Sequence, residues 1–180
     1  AVAMSQDQVA ALTTAQIASL TTAQISTLTT LQVAALKAQQ VASLEAADLL
    51  SLGSVQLRAL GTAGIAALRS EQVVALSAAQ YASLTTGQIA ALTTGSLALL
   101  GSEKLSLLST EQVGGLRTQQ LLGLSSESLN ALTTLQFAAL KVTQLPSLTS
   151  GQLLSLEQAD LQALSTVQLG ALSSVQMNYL

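Results

Sequence analysis

The apolar residues of this chain recur with a period of eight residues. Leucine occupies every eighth position from Leu12 to Leu180, without an exception at 22 positions. A second apolar or aromatic residue lies three residues before each of these leucines, as Ile17 does before Leu20. We number each octad so that Thr13 has position 1, Ile17 position 5 and Leu20 position 8. An uninterrupted period of this kind predicts a solenoid built from whole octads rather than a globular core.

The spacing of the two apolar positions favours one short helix per octad. In a continuous helix, eight residues at about 100° each would leave a drift of roughly 80° per octad, so the leucines would not share a face. In a strand, two residues three apart point to opposite faces. In a short helix, residues three apart lie on the same face. A β-solenoid stays open as an alternative, because Thr, Val and Ile also suit strands.

The polar positions carry signals for helix ends. Thr or Ser opens most octads, and Gln follows at position 4 in 16 of 22 octads, which is the pattern of a reciprocal capping box. At position 1, we expect Gly53, Gly61 and Gly101 to end the preceding helix in a left-handed conformation. Lys37, Arg69, Arg117 and Lys141 share this position, and we expect them beside the negative end of that helix. The predicted capping residues are Thr13 with Gln16, Thr21 with Gln24, Thr29 with Gln32, and Thr85 with Gln88.

We therefore predict an all-α solenoid of about 22 short capped helices, continuous over 1–180, with 1–8 and 173–180 as terminal units. Tyr81 and Phe137 occupy position 5 and are expected in the core. Pro146 lies within an octad, where its missing N–H falls in the first turn of a short helix and is tolerated. The predicted core comprises Leu12, Ile17, Leu20, Ile25, Leu28, Val33, Leu36, Val41, Leu44, Val73, Leu76, Leu84, Ile89, Leu92, Val113, Leu116, Leu132, Leu140, Leu148, Leu164 and Leu172.

The composition narrows the possible chemistry. Charged residues make up 8% of the chain and aromatic residues 2%, and Cys, His and Trp are missing. Disulfides and Cys-based zinc sites are therefore excluded. A net charge of -3 argues against the basic surface that nucleic acid requires. No apolar run is long enough to span a membrane. The opening "AVAMSQDQ" lacks a positively charged region before an apolar run, so we expect a signal peptide to be absent or already removed.

Two pairs of carboxylates are the strongest candidates for chemistry. Glu45 precedes Asp48 by three residues, and Glu157 precedes Asp160 in the same way. Such pairs could act as acid and base or hold a hard cation. Because they occupy positions 1 and 4, a variant capping box accounts for them better. We predict no catalytic residue, no cofactor and no metal site, and we do not expect an enzyme.

The octads resemble the Leu-Thr-Thr-x-Gln-rich arrays of large bacterial exoproteins, which are often labelled haem utilisation or adhesion. The resemblance is carried by segments such as "LTTAQIASLTTAQISTL" at 12–28, and it implies a role at the bacterial surface or outside the cell. The segment "LRSEQVVAL" at 68–76 is also similar to the first short helix of the transcription-activator-like effector repeat. That second resemblance implies only a short capped helix.

The expected function is structural: a stalk, a spacer or a self-assembling filament segment. The weakly charged surface suits association of one solenoid with another, laterally or end to end. The alternative is an adhesion module that binds a glycan, a host protein or ice, with the Gln row as one candidate for a carbohydrate-binding strip. Ice binding requires unbroken ranks of hydroxyls. The Thr rank is interrupted in five successive octads, at Lys37, Glu45, Gly53, Gly61 and Arg69.

Overall fold

The computed structural model describes residues 4–180, and in this range it contains short helices and no strand. The prediction of an all-α repeat solenoid is therefore confirmed, and the β-solenoid alternative is wrong. Almost every octad forms one α-helix of four to six residues. The helices, numbered in chain order, are α1 Gln6–Ala11, α2 Thr14–Ala18, α3 Thr22–Ser26, α4 Thr30–Ala34, α5 Ala38–Ser43, α6 Ala46–Ser51, α7 Ser54–Ala59, α8 Gly61–Ala66, α9 Ser70–Ala75, α10 Ala78–Ser83, α11 Thr86–Ala91, α12 Thr94–Ala98, α13 Ser102–Ser106, α14 Thr110–Gly114, α15 Thr118–Leu122, α16 Ser126–Asn130, α17 Thr134–Ala138, α18 Ser150–Leu154, α19 Gln158–Ala163, α20 Thr166–Leu169 and α21 Ser174–Met177.

The bends between helices come from extended residues at the junction of two octads. Between α5 and α6, Leu44 has φ -64° and ψ 149°, and Glu45 has φ -80° and ψ 158°. The Leu44 N–H still bonds to the Val41 carbonyl at 3.2 Å, which closes the last turn of α5. Helices this short would not be stable alone in water, so they depend on packing against their neighbours.

Within each unit, helices pack against the helix that lies three octads further along the chain. The pairs with the most extensive contacts include α4 with α7, α8 with α11, α3 with α6 and α17 with α19. The last pair is also three octads apart, because the octad between α17 and α18 forms a 3₁₀ helix instead. Hydrogen bonds between turns join residues 25 to 31 apart in sequence. One turn of the solenoid therefore takes between three and four octads.

The chain forms two compact units, the first ending at Leu92 and the second running from Thr93 to Leu180. In both units the side chains at positions 5 and 8 form the core. The predicted core residues are buried, with two exceptions: Leu12 and Leu20 are half-buried. These two lie in the first turn of the first unit, so they are covered by a neighbouring turn on one side only.

The two predicted core aromatics are buried as expected. Tyr81 and Phe137 have no exposed surface. The Tyr81 hydroxyl donates a hydrogen bond to the Val73 carbonyl, eight residues earlier in the chain. Burial raises the pKa of Tyr81 above its ordinary value, because the phenolate would be poorly solvated there.

The expected left-handed helix ends are wrong at two of the three glycines at position 1 and right at Gly61. Gly53 and Gly101 do not end a helix in a left-handed conformation, because they are N-cap residues of α7 and α13 with φ of -66° and -65°. Within residues 4–180, Gly61 alone has a positive φ, at 64°, where α7 passes almost directly into α8. Pro146 is accommodated, but its octad forms a 3₁₀ helix over Leu145–Ser147 rather than an α-helix, because proline has no N–H to donate.

Candidate functional site

The capping residues predicted from the sequence form reciprocal pairs. The Thr13 N–H donates to Gln16 Oε1 at 2.8 Å, and the Gln16 N–H donates to Thr13 Oγ1 at 3.2 Å. The same exchange satisfies two backbone donors at the start of each such helix. It is also made by Thr21 with Gln24, Thr29 with Gln32, and Thr85 with Gln88.

The basic residues at position 1 lie at helix starts, which differs from the sequence expectation. Lys37, Arg69 and Arg117 are the N-cap residues of α5, α9 and α15, and their side chains make no capping bond. Half of the box survives, because the Arg69 N–H still donates to Gln72 Oε1 at 2.7 Å. The Arg69 guanidinium nevertheless reaches a helix C-terminus in the previous turn, where Nη2 donates to the Leu44 carbonyl at 3.1 Å. It also forms an ion pair with Glu71.

The glutamine side chain does more than cap its own helix. Gln40 Oε1 accepts from the Lys37 N–H at 2.7 Å, while Gln40 Nε2 donates to the Val9 and Leu12 carbonyls at 2.9 and 2.7 Å. These carbonyls belong to the end of α1, four octads earlier, where a helix leaves acceptors unsatisfied. One amide group therefore joins the start of one helix to the end of another in the previous turn.

This bridge recurs with the same spacing of 28 residues between the Gln amide and a position-8 leucine. Most of the bridging glutamines are buried, as a polar side chain with both ends hydrogen-bonded can be. We call the set the glutamine ladder. It includes Gln40 to Leu12, Gln56 to Leu28, Gln72 to Leu44 and Gln80 to Leu52 in the first unit, and Gln136 to Leu108, Gln144 to Leu116, Gln152 to Leu124, Gln168 to Leu140 and Gln176 to Leu148 in the second.

A second bond between turns comes from hydroxyls at position 2, which the sequence analysis did not assign. Ser54 Oγ donates to the Ala79 carbonyl at 3.4 Å, and Ser126 Oγ donates to the Gly151 carbonyl at 3.2 Å. Both bonds span 25 residues and join helices that are three octads apart. The frequent Thr or Ser at position 2 was the available signal, but it could not be interpreted until the number of octads per turn was known.

The two Glu-x-x-Asp pairs use the same framework with a different direction of bonding. Asp48 is buried; its Oδ2 accepts from the Glu45 N–H at 3.1 Å and its Oδ1 accepts from Thr22 Oγ1 at 3.0 Å. Asp160 is also buried and accepts from the Thr134 hydroxyl, 26 residues earlier. A carboxylate has no N–H to donate. In these two octads the position-4 side chain therefore accepts a hydrogen bond from a threonine hydroxyl of the previous turn, whereas a glutamine at this position donates one to a carbonyl of the previous turn.

The environment of Asp160 is electrostatically unfavourable. Burial raises the pKa of its carboxyl above the ordinary value, the nearby Glu157 carboxylate raises it further, and the hydrogen bond from Thr134 opposes the rise.

Among residues 4–180, no group of three or more acidic side chains is placed to hold a metal ion. In the same part of the chain, no helix is long and apolar enough to cross a membrane.

Aliphatic side chains at position 3 form the most conspicuous exposed feature. Leu31 is 61% exposed and Val55 is 70% exposed, and they lie on α4 and α7, which pack against each other. In the second unit Leu135 is 76% exposed and Val167 is 70% exposed. In most other octads position 3 carries Ala, Gly or a polar residue such as Glu71 or Glu111, so the fold does not require an aliphatic residue there.

Comparison with known proteins supports the assignment of a repeat array. Residues 41–78 and 153–180 match the model of the ALTTAQ repeat, one segment in each unit. No curated protein matches the chain. The first matched segment contains both ends of the bridge from Gln72 to Leu44, and the second contains Gln168, whose bridge reaches back to Leu140. The chain is a helical repeat protein, and two of its segments are similar to the ALTTAQ repeat.

Proposed function

We propose that the chain is a structural segment, serving as a spacer, stalk or filament-forming part of a secreted or surface protein of bacteria. The observation that carries this proposal is the glutamine ladder. The most frequent polar side chain of the octad has its oxygen and its nitrogen bonded within the chain, so it contributes to cohesion between turns rather than to ligand binding. The resemblance to octad arrays of bacterial exoproteins favours the same role.

Self-association is the partner interaction that the surface supports best. Leu31 and Val55 expose apolar area on two helices that pack against each other, α4 and α7. Covering such aliphatic groups with a second molecule is favourable, because it removes apolar surface from water. The net charge of -3 over 180 residues would oppose such contacts only weakly. Lateral contact between copies therefore has an apolar driving force and little electrostatic cost.

Electron microscopy and sedimentation velocity over a concentration series test this proposal. Filaments or laterally paired particles that increase with concentration would support a self-assembling segment. Particles of constant size at every concentration would contradict self-association and leave the spacer role to be tested in a longer parent protein.

An adhesion module is the second candidate, because the exposed hydroxyls and aliphatic side chains could also meet a glycan or a host protein. Thr14, Thr30 and Thr86, which occupy position 2 of their octads, are exposed. Specific signals on a glycan array would favour this candidate, and their loss on changing these threonines to valine would assign the contact to these side chains. Ice binding belongs to the same class and is tested by ice-crystal shaping. We assign no catalytic activity to the chain, in keeping with the bonded state of the Asp48 carboxylate.

A further inference from the structure

The octad of α19, like the octad of α6, has a carboxylate in place of the bridging glutamine, which introduces a proton-binding group between two turns. Asp160 occupies position 4, where most octads have the bridging glutamine, and only 4% of its surface is exposed. Its neighbour across the turn is Thr134 at the start of α17, and α17 and α19 are packed together. Any change in the charge of Asp160 therefore acts directly on a contact between turns.

The charges around Asp160 are unbalanced. Glu157, the N-cap residue of α19, lies three residues before it and adds a second negative charge. The helix in the most extensive contact with α19 is α17, whose sequence TLQFA has no titratable side chain. Within residues 4–180, neither carboxylate belongs to an ion pair, since the ion pair of this range joins Arg69 and Glu71. A buried carboxylate without a cation is costly when it is ionised.

We propose that Asp160, Glu157 and Thr134 form an acid-tightened joint, which holds α19 against α17 more firmly when Asp160 is protonated than when it is ionised. Protonation removes the repulsion from Glu157 and gives Asp160 an O–H donor, as the glutamines have an N–H donor at this position. The inference is independent of self-association, because it concerns a contact inside one unit of one molecule.

The sign of the pH dependence follows from the raised pKa of Asp160. When the folded pKa exceeds the unfolded one, the folded state binds more protons between the two values. The stability contributed by this group is fully present below the unfolded pKa, near the ordinary value for Asp, and is lost as pH rises through the folded pKa. The joint therefore loosens as the pH rises above the ordinary pKa of Asp.

The test compares urea midpoints of the wild type and of Asp160→Asn at pH 3.5 and pH 7. Asparagine is a neutral substitute for the protonated carboxyl, and subtracting the wild-type midpoint at each pH removes the contribution of the other carboxylates. We expect Asp160→Asn to have a higher midpoint than the wild type at pH 7 and nearly the same midpoint at pH 3.5. An equal difference at both pH values would overturn the proposal.

Two further variants separate the joint from a merely structural side chain. Thr134→Val removes the hydroxyl that favours ionised Asp160, so its midpoint should fall more at pH 7 than at pH 3.5, opposite in sign to Asp160→Asn. Thr134→Ser keeps the hydroxyl and is the matched control, with little pH dependence relative to the wild type. Glu157→Gln should raise the midpoint at pH 7. A fall of equal size at both pH values in Thr134→Val, or no effect of Glu157→Gln at pH 7, would contradict the joint.

Hydrogen exchange shows whether the effect is local. The Leu161 N–H donates to the Glu157 carbonyl at 3.2 Å, and the Leu164 N–H donates to the Leu161 carbonyl at 3.3 Å. Their protection factors, corrected for intrinsic exchange, should be lower at pH 7 than at pH 3.5 in the wild type and the same at both pH values in Asp160→Asn. Identical changes in both proteins would overturn the proposal.

Discussion

The amide nitrogen Nε2 of Gln72 lies 2.7 Å from the carbonyl oxygen of Leu44, 28 residues earlier in the chain. The same side chain accepts from the Arg69 N–H through its oxygen. The Gln72 side chain therefore caps the C-terminal end of α5 and the N-terminal end of α9, although the two helices are four octads apart. An octad with glutamine at position 4 can make this connection to an earlier octad and can offer its own leucine carbonyl to a later one, so the connection recurs along the repeat.

Removing the Gln72 amide should destabilise the first unit. Gln72 has no exposed surface, so Gln72→Ala leaves the Arg69 N–H and the carbonyls of Val41 and Leu44 with fewer partners in a buried place. We expect a loss of about 2 to 4 kcal/mol in the free energy of unfolding, measured by urea denaturation. Gln16→Ala is the matched control, because Gln16 is exposed and makes the capping bonds of α2; its loss should be about 0.5 to 1 kcal/mol. Equal losses in the two variants would contradict the ladder.

Replacing Asp48 by the common residue should stabilise the chain. In Asp48→Gln the new Nε2 can donate to the Leu20 carbonyl, 28 residues earlier, while Oε1 keeps the bond from the Glu45 N–H. We expect the free energy of unfolding to rise by about 1 kcal/mol, because the amide hydrogen bond to the Leu20 carbonyl replaces the hydrogen bond from the Thr22 hydroxyl. Asp48→Asn, which is one methylene shorter, serves as the control and should give a smaller gain. A destabilised Asp48→Gln variant would show that this octad does not follow the ladder geometry.

Close packing between turns should require the small residue Gly123, at position 7 of the octad that contains α15. A Cβ added at Gly123 would lie 2.5 Å from Thr94 Cγ2, on the helix three places earlier. Gly123→Ala should therefore lower the unfolding free energy by about 1 kcal/mol or more, despite the better helix propensity of alanine. Thr94→Ser removes the methyl group concerned, so the double variant should recover most of the loss. Additive effects in this double-mutant cycle would contradict direct contact.

Exposed aliphatic residues at position 3 should control association between copies. Leu31→Glu with Val55→Glu places carboxylates where Glu71 and Glu111 already occur, so the fold should be retained while the apolar contact is lost. The control, Ala23→Glu with Ala47→Glu, adds the same charge at the same octad position on α3 and α6, which also pack together. Sedimentation velocity should show weaker association in the first variant than in the second. If both variants associate like the wild type, this surface is not the contact.

Much of the architecture could be predicted from the sequence because each octad contains its own signals. The interval between Ile17 and Leu20 is compatible with a helix and not with a strand, and Thr13 with Gln16 marks the helix start. The capping function of Gln could therefore be predicted one octad at a time. Its second function could not, because the Leu44 carbonyl that Gln72 reaches is identified only once the number of octads per turn is known.

The wrong predictions for helix ends and for two core leucines also arise because one octad does not show how it is joined to the next. Gly53 and Arg69 follow the repeat leucine, so they were expected to complete the preceding helix, whereas the extended conformation at the octad junction makes them the N-cap residues of the next one. The core role of Leu12 and Leu20 was inferred from the period alone. Their partial exposure reflects their place in the first turn, which a period does not encode.

Exchange of the glutamine side-chain amide protons, followed by NMR on the intact chain, tests the ladder most directly. If the amides bridge successive turns, the protons of Gln40, Gln72 and Gln152 should exchange slowly, and those of the exposed Gln16 and Gln24 should exchange like free glutamine. Uniformly fast exchange at all five positions would contradict the claim that these amides join one turn of the solenoid to the next.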